Sequence, residues 1–200
     1  SAEQTQPMQT NPATPLDDDE AAAAPTHTAT APEHFDTVAR GMARWARERP
    51  DIDASGKAVV GRVLRLQGVI LKAVNATLAV HGLKYPAYAI LATLRVEGAP
   101  YRLSPSQLQQ TMLFSSGGIS NLLLRLEKDG LIRRTSDRSD RRGVIVELTD
   151  KGVALADVAM ADHANTERHL IRMFSQDERA QMADMLARML VVNADAPGYV

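Results

Sequence analysis

The stretch Asn121–Gly152 reads "NLLLRLEKDGLIRRTSDRSDRRGVIVELTDKG", and the fold is decided there. With Ile119 just upstream, Leu122, Leu123 and Leu126 fall at i, i+3, i+4 and i+7, a single inward stripe of a helix. Gly117, Ser120, Asn121, Arg125 and Lys128 take the opposite face, and Gly130 stops the helix. Leu131–Thr135 and Val144–Leu148 are short and strand-like, so the charged loop between them closes a β-hairpin. Five arginines occupy the ten positions from Arg133 to Arg142, offset within the loop only by Asp137 and Asp140. Thr149 and Asp150 open the next helix.

Upstream, "LSPSQLQQT" is a strong helix start. Ser104 is the N-cap, Pro105 sits at the first helical position, and Gln107 completes a capping box. That helix runs only to about Thr111 before a second start at "FSSGG". A short helix, a tight turn, a second helix with a polar outer face and a basic hairpin follow one another, which is the order of a winged helix-turn-helix. Small residues at the exposed helix start, Ser115, Ser116 and Gly117, let the helix enter a major groove, and their amides favour phosphate. Ser120, Asn121 and Arg125 then reach base edges or backbone oxygens. The arginine loop lies alongside, its tip at a minor groove whose narrow A·T stretches attract guanidinium. A charge run alone is more often a solvated loop, and a Ser/Gly start more often a plain cap. Their succession in this order is what points to DNA.

The rest of the chain is helical apart from a tail. Residues 1–32 are Ala, Thr, Pro, Gln and acid, with almost nothing to bury, and are expected to be disordered. Phe35, Val38, Met42 and Trp45 then recur at helical spacing until Pro50. A long apolar set follows, Val59, Val63, Leu66, Ile70, Val74 and Leu78, with Ser55 as its expected cap and Gly82 as its stop. "AYAILATLRVEG" is a further helix closed by Gly98. Ser175 caps a last helix that carries Met182, Met185, Leu186 and Met189 on one side. The expected fold is mainly α: a winged helix-turn-helix with a two-stranded β-wing, flanked by N- and C-terminal dimerisation helices. The expected divisions are a tail at 1–32, N-terminal helices at 33–83, the DNA-binding lobe at 84–149 and C-terminal helices at 150–195.

The Asn121–Gly152 stretch resembles the signature of the MarR family of transcriptional regulators, in which a recognition helix leads through "LE..GLI.R" to a wing and a strand ending "LT..G". The resemblance implies an obligate homodimer whose two lobes read a palindromic operator in double-stranded DNA. It also implies that Asp140 and Arg142 brace the wing, with Arg138 and Arg141 directed at DNA; Arg142 counts among the DNA-binding candidates as well. Ser139 stands where the family often has Arg. "RWARERPDIDASG" resembles the branch with an extra N-terminal helix that includes urate-responsive members. That likeness implies an effector pocket at Trp45 and Arg134, joined here by Tyr88. The branch's pocket Asp is here Ala89 and its recognition-helix Arg is Leu122, which points away from urate. A smaller aromatic acid suits what remains: a pyridine or benzene carboxylate, or a phenolic acid. The alternative for the same residues is structural, with Trp45 packed at the dimer interface and Arg134 in a salt bridge at the wing base.

Composition narrows the function classes. The formal charge is −1, yet the first 32 residues hold five acids and no Lys or Arg, leaving the remainder at +4. With no cysteine there is no disulfide or thiol chemistry. No apolar run is long enough to cross a membrane, and the N-terminus lacks the pattern of a secretory signal, so a cytoplasmic protein is expected. An enzyme is not expected. The five histidines are scattered, neither GxSxG nor a P-loop occurs, and "SSGG" lacks the Lys of a phosphate cradle. His163 and Glu167 are i,i+4 neighbours near Asp162, but a solvated face is the better reading than zinc, and neither metal nor cofactor is expected. The rival from another class is a winged-helix module that binds an acidic protein surface and no DNA.

Overall fold

The computed structural model describes residues 36–111, 118–136 and 143–193, and local capping chemistry accounts for most element boundaries within them. Helix α1 (Thr37–Glu48) starts where the Asp36 carboxylate accepts from Ala39 N at 2.8 Å. Helix α2 (Lys57–Ala79) does not start as expected: its N-cap is Gly56, without a side-chain bond. Ser55 is occupied elsewhere, because Asp53 takes its backbone N–H at 2.9 Å and also its hydroxyl, which lowers the Asp53 pKa. Gly82, at φ +70°, ends the turn after α2. Helix α3 (Tyr85–Val96) is followed by Gly98 at φ +85°, which reverses the chain.

The chain then forms an element that sequence reading had assigned only to a helix start. Arg102–Leu103 is a strand, β1, which buries Leu103. Helix α4 (Pro105–Thr111) carries the expected capping box: Gln107 N donates to Ser104 Oγ at 3.2 Å, and Ser104 N donates to the Gln107 side chain at 2.9 Å. Helix α5 (Ile119–Lys128) ends at Gly130, φ +71°. Strands β2 (Ile132–Ser136) and β3 (Val144–Leu148) pair antiparallel, with Ile132 opposite Leu148 and Ser136 opposite Val144. β2 begins one residue later than expected, since the Leu131 carbonyl instead accepts from Thr149 N at 3.1 Å. β2 and β3 form the expected two-stranded wing, and β1 joins its β3 edge to make a three-stranded sheet in the order β1-β3-β2. Arg102 lies opposite Glu147 and Leu103 opposite Val146.

Helix α6 (Asp150–Leu170) is capped by Thr149, whose hydroxyl accepts from Gly152 N at 3.0 Å and donates to the Gly130 carbonyl at 2.6 Å. α7 (Gln176–Asn193) opens on a Ser175–Glu178 capping box. The core gathers Val74 and Leu78 of α2, Ile90, Leu91 and Leu94 of α3, Leu108, Leu123, Leu126, Val146, Leu148, Ala156 and Ala159. α2 and α6 are also joined by polar contacts, Thr77 Oγ1 to Thr166 Oγ1 and His81 Nε2 to Asp162, each 2.7 Å. The long apolar set of α2 divides in two. Val74 and Leu78 are in the core, whereas Val59, Val63, Leu66 and Ile70 are exposed. α7 has no buried residue, and Met185, Leu186, Met189 and Leu190 face outward.

Candidate nucleic-acid interface

Helix α5 is held by its apolar stripe. Leu123 and Leu126 are buried, and Ile119 and Leu122 pack half-buried against the same core. Ser120, Asn121, Arg125 and Lys128 are consequently exposed together on the outer face. Sequence reading missed one member of that face. Leu124 is 50% exposed, an apolar side chain set among the polar ones, where a thymine methyl group is a suitable contact. Its position is hidden in the sequence because the run "LLL" reads as core. Ser115, Ser116 and Gly117, and the wing-tip residues Arg138, Asp140, Arg141 and Arg142, lie outside the described residues, as does the tail.

The base of the wing is tied to α5 through one carboxylate. Arg134 on β2 donates its backbone N–H to Glu127 Oε1 at 3.1 Å, and its Nε and Nη2 to Glu127 Oε2 at 2.8 and 2.6 Å. Hydrogen bonding to Arg134 holds the Glu127 carboxyl below its usual value. Next to it on β2, Arg133 pairs with Glu147 of β3 at 2.6 Å, and that bond raises the Arg133 pKa. Lys151 closes the opposite side, with Nζ donating to the Asp129 carbonyl at 2.8 Å beyond the last turn of α5, where the helix dipole favours a cation. Two reading elements, one helix and one hairpin, are thereby fixed to each other by charged hydrogen bonds around Gly130.

The three residues assigned to an effector are not brought together. Trp45 lies on α1, 40% exposed, with the Lys57 ammonium 4.2 Å from its ring centroid. Tyr88 is buried in the core, its ring stacked on His163 with centroids 4.6 Å apart. Burial pushes its phenol up to about 12. Arg134 is committed to Glu127, which is the salt bridge at the wing base that sequence analysis held as the alternative. Each of the three side chains is engaged by different neighbours: Trp45 by Lys57, Tyr88 by His163 and Arg134 by Glu127. Trp45 lines a cleft between α1 and α2, with Thr37, Val38, Gly41, Met42, Lys57, Gly61, Leu64 and Arg65 as the other walls. A separate cavity of about 550 Å³ lies among α2, α6 and α7 and is reached by Tyr85, His163 and Glu167. Among the described residues no group of His, Asp and Glu is arranged to hold a metal ion, and no helix is long and apolar enough to cross a membrane.

Comparison with known proteins agrees with this geometry. The family model described as MarR family matches residues 81–143, from just after α2 to just before β3. The HTH-type transcriptional regulator PecS of Dickeya dadantii is 35% identical over 146 residues, covering 73% of this chain and 88% of PecS. Among solved structures, Sco3205, a MarR family regulator of Streptomyces coelicolor in complex with DNA, superposes with a TM-score of 0.64 at 21% identity, covering 74% of this chain and 91% of that one. The organohalide-sensing regulator RdhR in its 2,4-dichlorophenol-bound form also gives a TM-score of 0.64, at 18% identity, covering 75% of this chain and 89% of that one.

Proposed function

The chain belongs to the MarR family of DNA-binding transcriptional regulators, and from that membership we propose that it is a homodimeric repressor released from a palindromic operator by a small aromatic acid. The observation that carries the DNA reading is the joined pair of reading elements, α5 with its exposed Ser120, Asn121 and Arg125, and a basic hairpin clamped to it by Glu127 and Arg134. In this reading α5 lies in the major groove. Ser115, Ser116 and Gly117 admit its N-terminal end to the phosphates, and Asn121 and Leu124 face bases. In the same reading Arg138, Arg141 and Arg142 supply the cations for the adjacent minor groove.

Dimerisation is supported by the apolar surface that the chain leaves uncovered. Val59, Val63, Leu66 and Ile70 of α2 and Met185, Leu186, Met189 and Leu190 of α7 form more exposed apolar side chain than isolated surface residues explain. A second copy covering them sets two α5 helices about one DNA turn apart, roughly 34 Å. An operator with two-fold symmetry follows from a two-fold protein. Repression needs nothing further, since a bound dimer overlapping a promoter excludes polymerase.

The effector acts only through its difference in affinity for the free and DNA-bound dimer, typically ~1–3 kcal/mol of coupling. An aromatic acid is supported by the exposed Trp45 beside a lysine, and the class is compatible with the phenol carried by the structural neighbour RdhR. The test is to select bound fragments from the source genome, map the protected sequence, and titrate the complex with benzoates, pyridine carboxylates and phenolic acids. A protected palindrome released by one of them is the expected result. Capture of an acidic protein through the wing, with no protected DNA, would replace this reading with that of a protein-binding module.

A further inference from the structure

Helix α1 carries a row of cations that the proposed DNA contact does not use. Arg40, Arg44 and Arg47 recur at i, i+4 and i+7, a single stripe along the helix, and all three are exposed. Val38, Gly41, Met42 and Trp45 take the other side, against α2. A Cβ on Gly61 of α2 would come within 3.2 Å of Val38 Cγ1, so the two helices are in close contact there. α5 packs instead on α3 and β2, so the stripe stands apart from the helix and hairpin assigned to DNA.

Little on α1 offsets the stripe. Glu48 is the one acid of the helix, and it pairs with Arg47 at 2.7 Å on the open surface. Arg40 donates Nη2 to the Thr37 hydroxyl at 3.1 Å. Among the described residues Arg44 is in no ion pair. The acids at either end are engaged: Asp36 caps the helix and bonds Arg62, and Asp51 bonds Arg49.

The chain supplies an anion of its own. Asp17, Asp18, Asp19 and Glu20 are consecutive, and residues 1–32 contain no Lys or Arg. Residues 21–35 connect them to Asp36, the cap of α1. A flexible connection of that length has a root-mean-square span of roughly 20 Å, and α1 is about 18 Å long. The acids are thus tethered within reach of every arginine of the stripe, at an effective concentration on the order of millimolar. Single exposed ion pairs are weak, so the contact depends on several acting together under the tether. Rival sites and occupants fit less well. The wing loop already holds Asp137 and Asp140, and Arg133 and Arg134 are paired with Glu147 and Glu127. A basic helix that lies on a membrane needs a free apolar face, and that of α1 is spent on α2.

We propose that residues 17–20 of the acidic tail dock along Arg40, Arg44 and Arg47 of α1. The contact holds the tail on the N-terminal helices and keeps its acids from competing with DNA for the wing. It stands independently of the effector and repressor readings.

The chain has no cysteine and a single tryptophan, Trp45, which lies on α1. A dansyl group attached through Ala21→Cys therefore reads the distance from the tail acids to α1, by energy transfer from Trp45 in the full-length protein without DNA. The expected result is strong transfer at about 0.01 M salt, where charges act over about 30 Å, and its loss at about 1 M, where they act over about 3 Å. At the lower salt, Asp17→Asn, Asp18→Asn, Asp19→Asn and Glu20→Gln together should bring transfer down to its high-salt level. Arg44→Gln with Arg47→Gln should do the same, and Arg138→Gln with Arg141→Gln should leave it intact. Transfer that survives the α1 substitutions overturns the proposal. Transfer lost only with the wing substitutions overturns it too, and places the tail on the wing. Salt-sensitive binding of a non-operator duplex that Arg44→Gln and Arg47→Gln abolish, with transfer unchanged by them, assigns the stripe to nucleic acid and also overturns it.

Discussion

At Gly152 a methyl group would stand 2.0 Å from the Leu131 carbonyl oxygen and 3.2 Å from a Leu148 methyl. The obstacle is backbone, so the start of α6 and the corner after α5 have to separate to admit it. Gly152→Ala is expected to cost at least about 2 kcal/mol, read as a lower urea midpoint. A second prediction concerns the joint between Glu127 and Arg134. Its carboxyl is held below the usual glutamate value of 4.5, so its contribution is complete above that value and is lost as pH falls through the lowered one. Operator affinity should therefore show no loss traceable to this pair between pH 7 and 5. Glu127→Ala should weaken binding and flatten the salt dependence, by about 0.9 in slope for each wing–phosphate contact released; an unchanged slope would mean the wing is positioned without it. Leu124→Ala should relax base preference at one position and leave the slope alone. At this scale the sequence was legible where a residue acts through its own neighbours, as with Ser104, Thr149 and Gly130. For Arg134 it left a ligand and a salt bridge at the wing base both open, because the carboxylate that occupies a guanidinium depends on where a helix and a strand meet. Family likeness points Arg134 to a ligand, and in the structure its guanidinium is bonded to Glu127.

Elements repeat the lesson at larger spacing. Three helix starts with a side-chain cap fell where the sequence placed them, at Pro105, Asp150 and Gln176, because each cap accepts locally from the N–H three residues on; at Pro105 and Gln176 that residue's side chain also answers the cap. Ser104→Ala breaks such a box on the first helix of the helix-turn-helix and should lower stability by about 1 kcal/mol, measured by thermal or urea unfolding, with little change in base preference. β1 escaped notice because two residues carry no periodicity, and Arg102–Leu103 becomes a strand only through the edge that β3 offers it. The start of α2 was misjudged for a similar reason. Ser55 has the right side chain for a cap, but Asp53, two residues earlier, takes both its donors.

For the molecule as a whole, the apolar period of α2 was plain in the sequence, but periodicity does not say which chain will cover it. Its C-terminal part is buried by this chain's own α3 and α6, and the part from Val59 to Ile70 is left to solvent with much of α7. If a second copy lies there, Val63→Glu together with Leu190→Glu should yield monomers in analytical ultracentrifugation. Operator binding should fall with them, since one lobe alone loses half its contacts. A variant that stays dimeric would place the interface elsewhere. The most direct measurement is a footprint of the full-length protein on operator fragments selected from its source genome. Protection of two half-sites related by a two-fold axis, with centres about one helical turn or roughly 34 Å apart, is the predicted result. Protection without two-fold symmetry, or no selected fragment at all, would contradict the dimeric repressor.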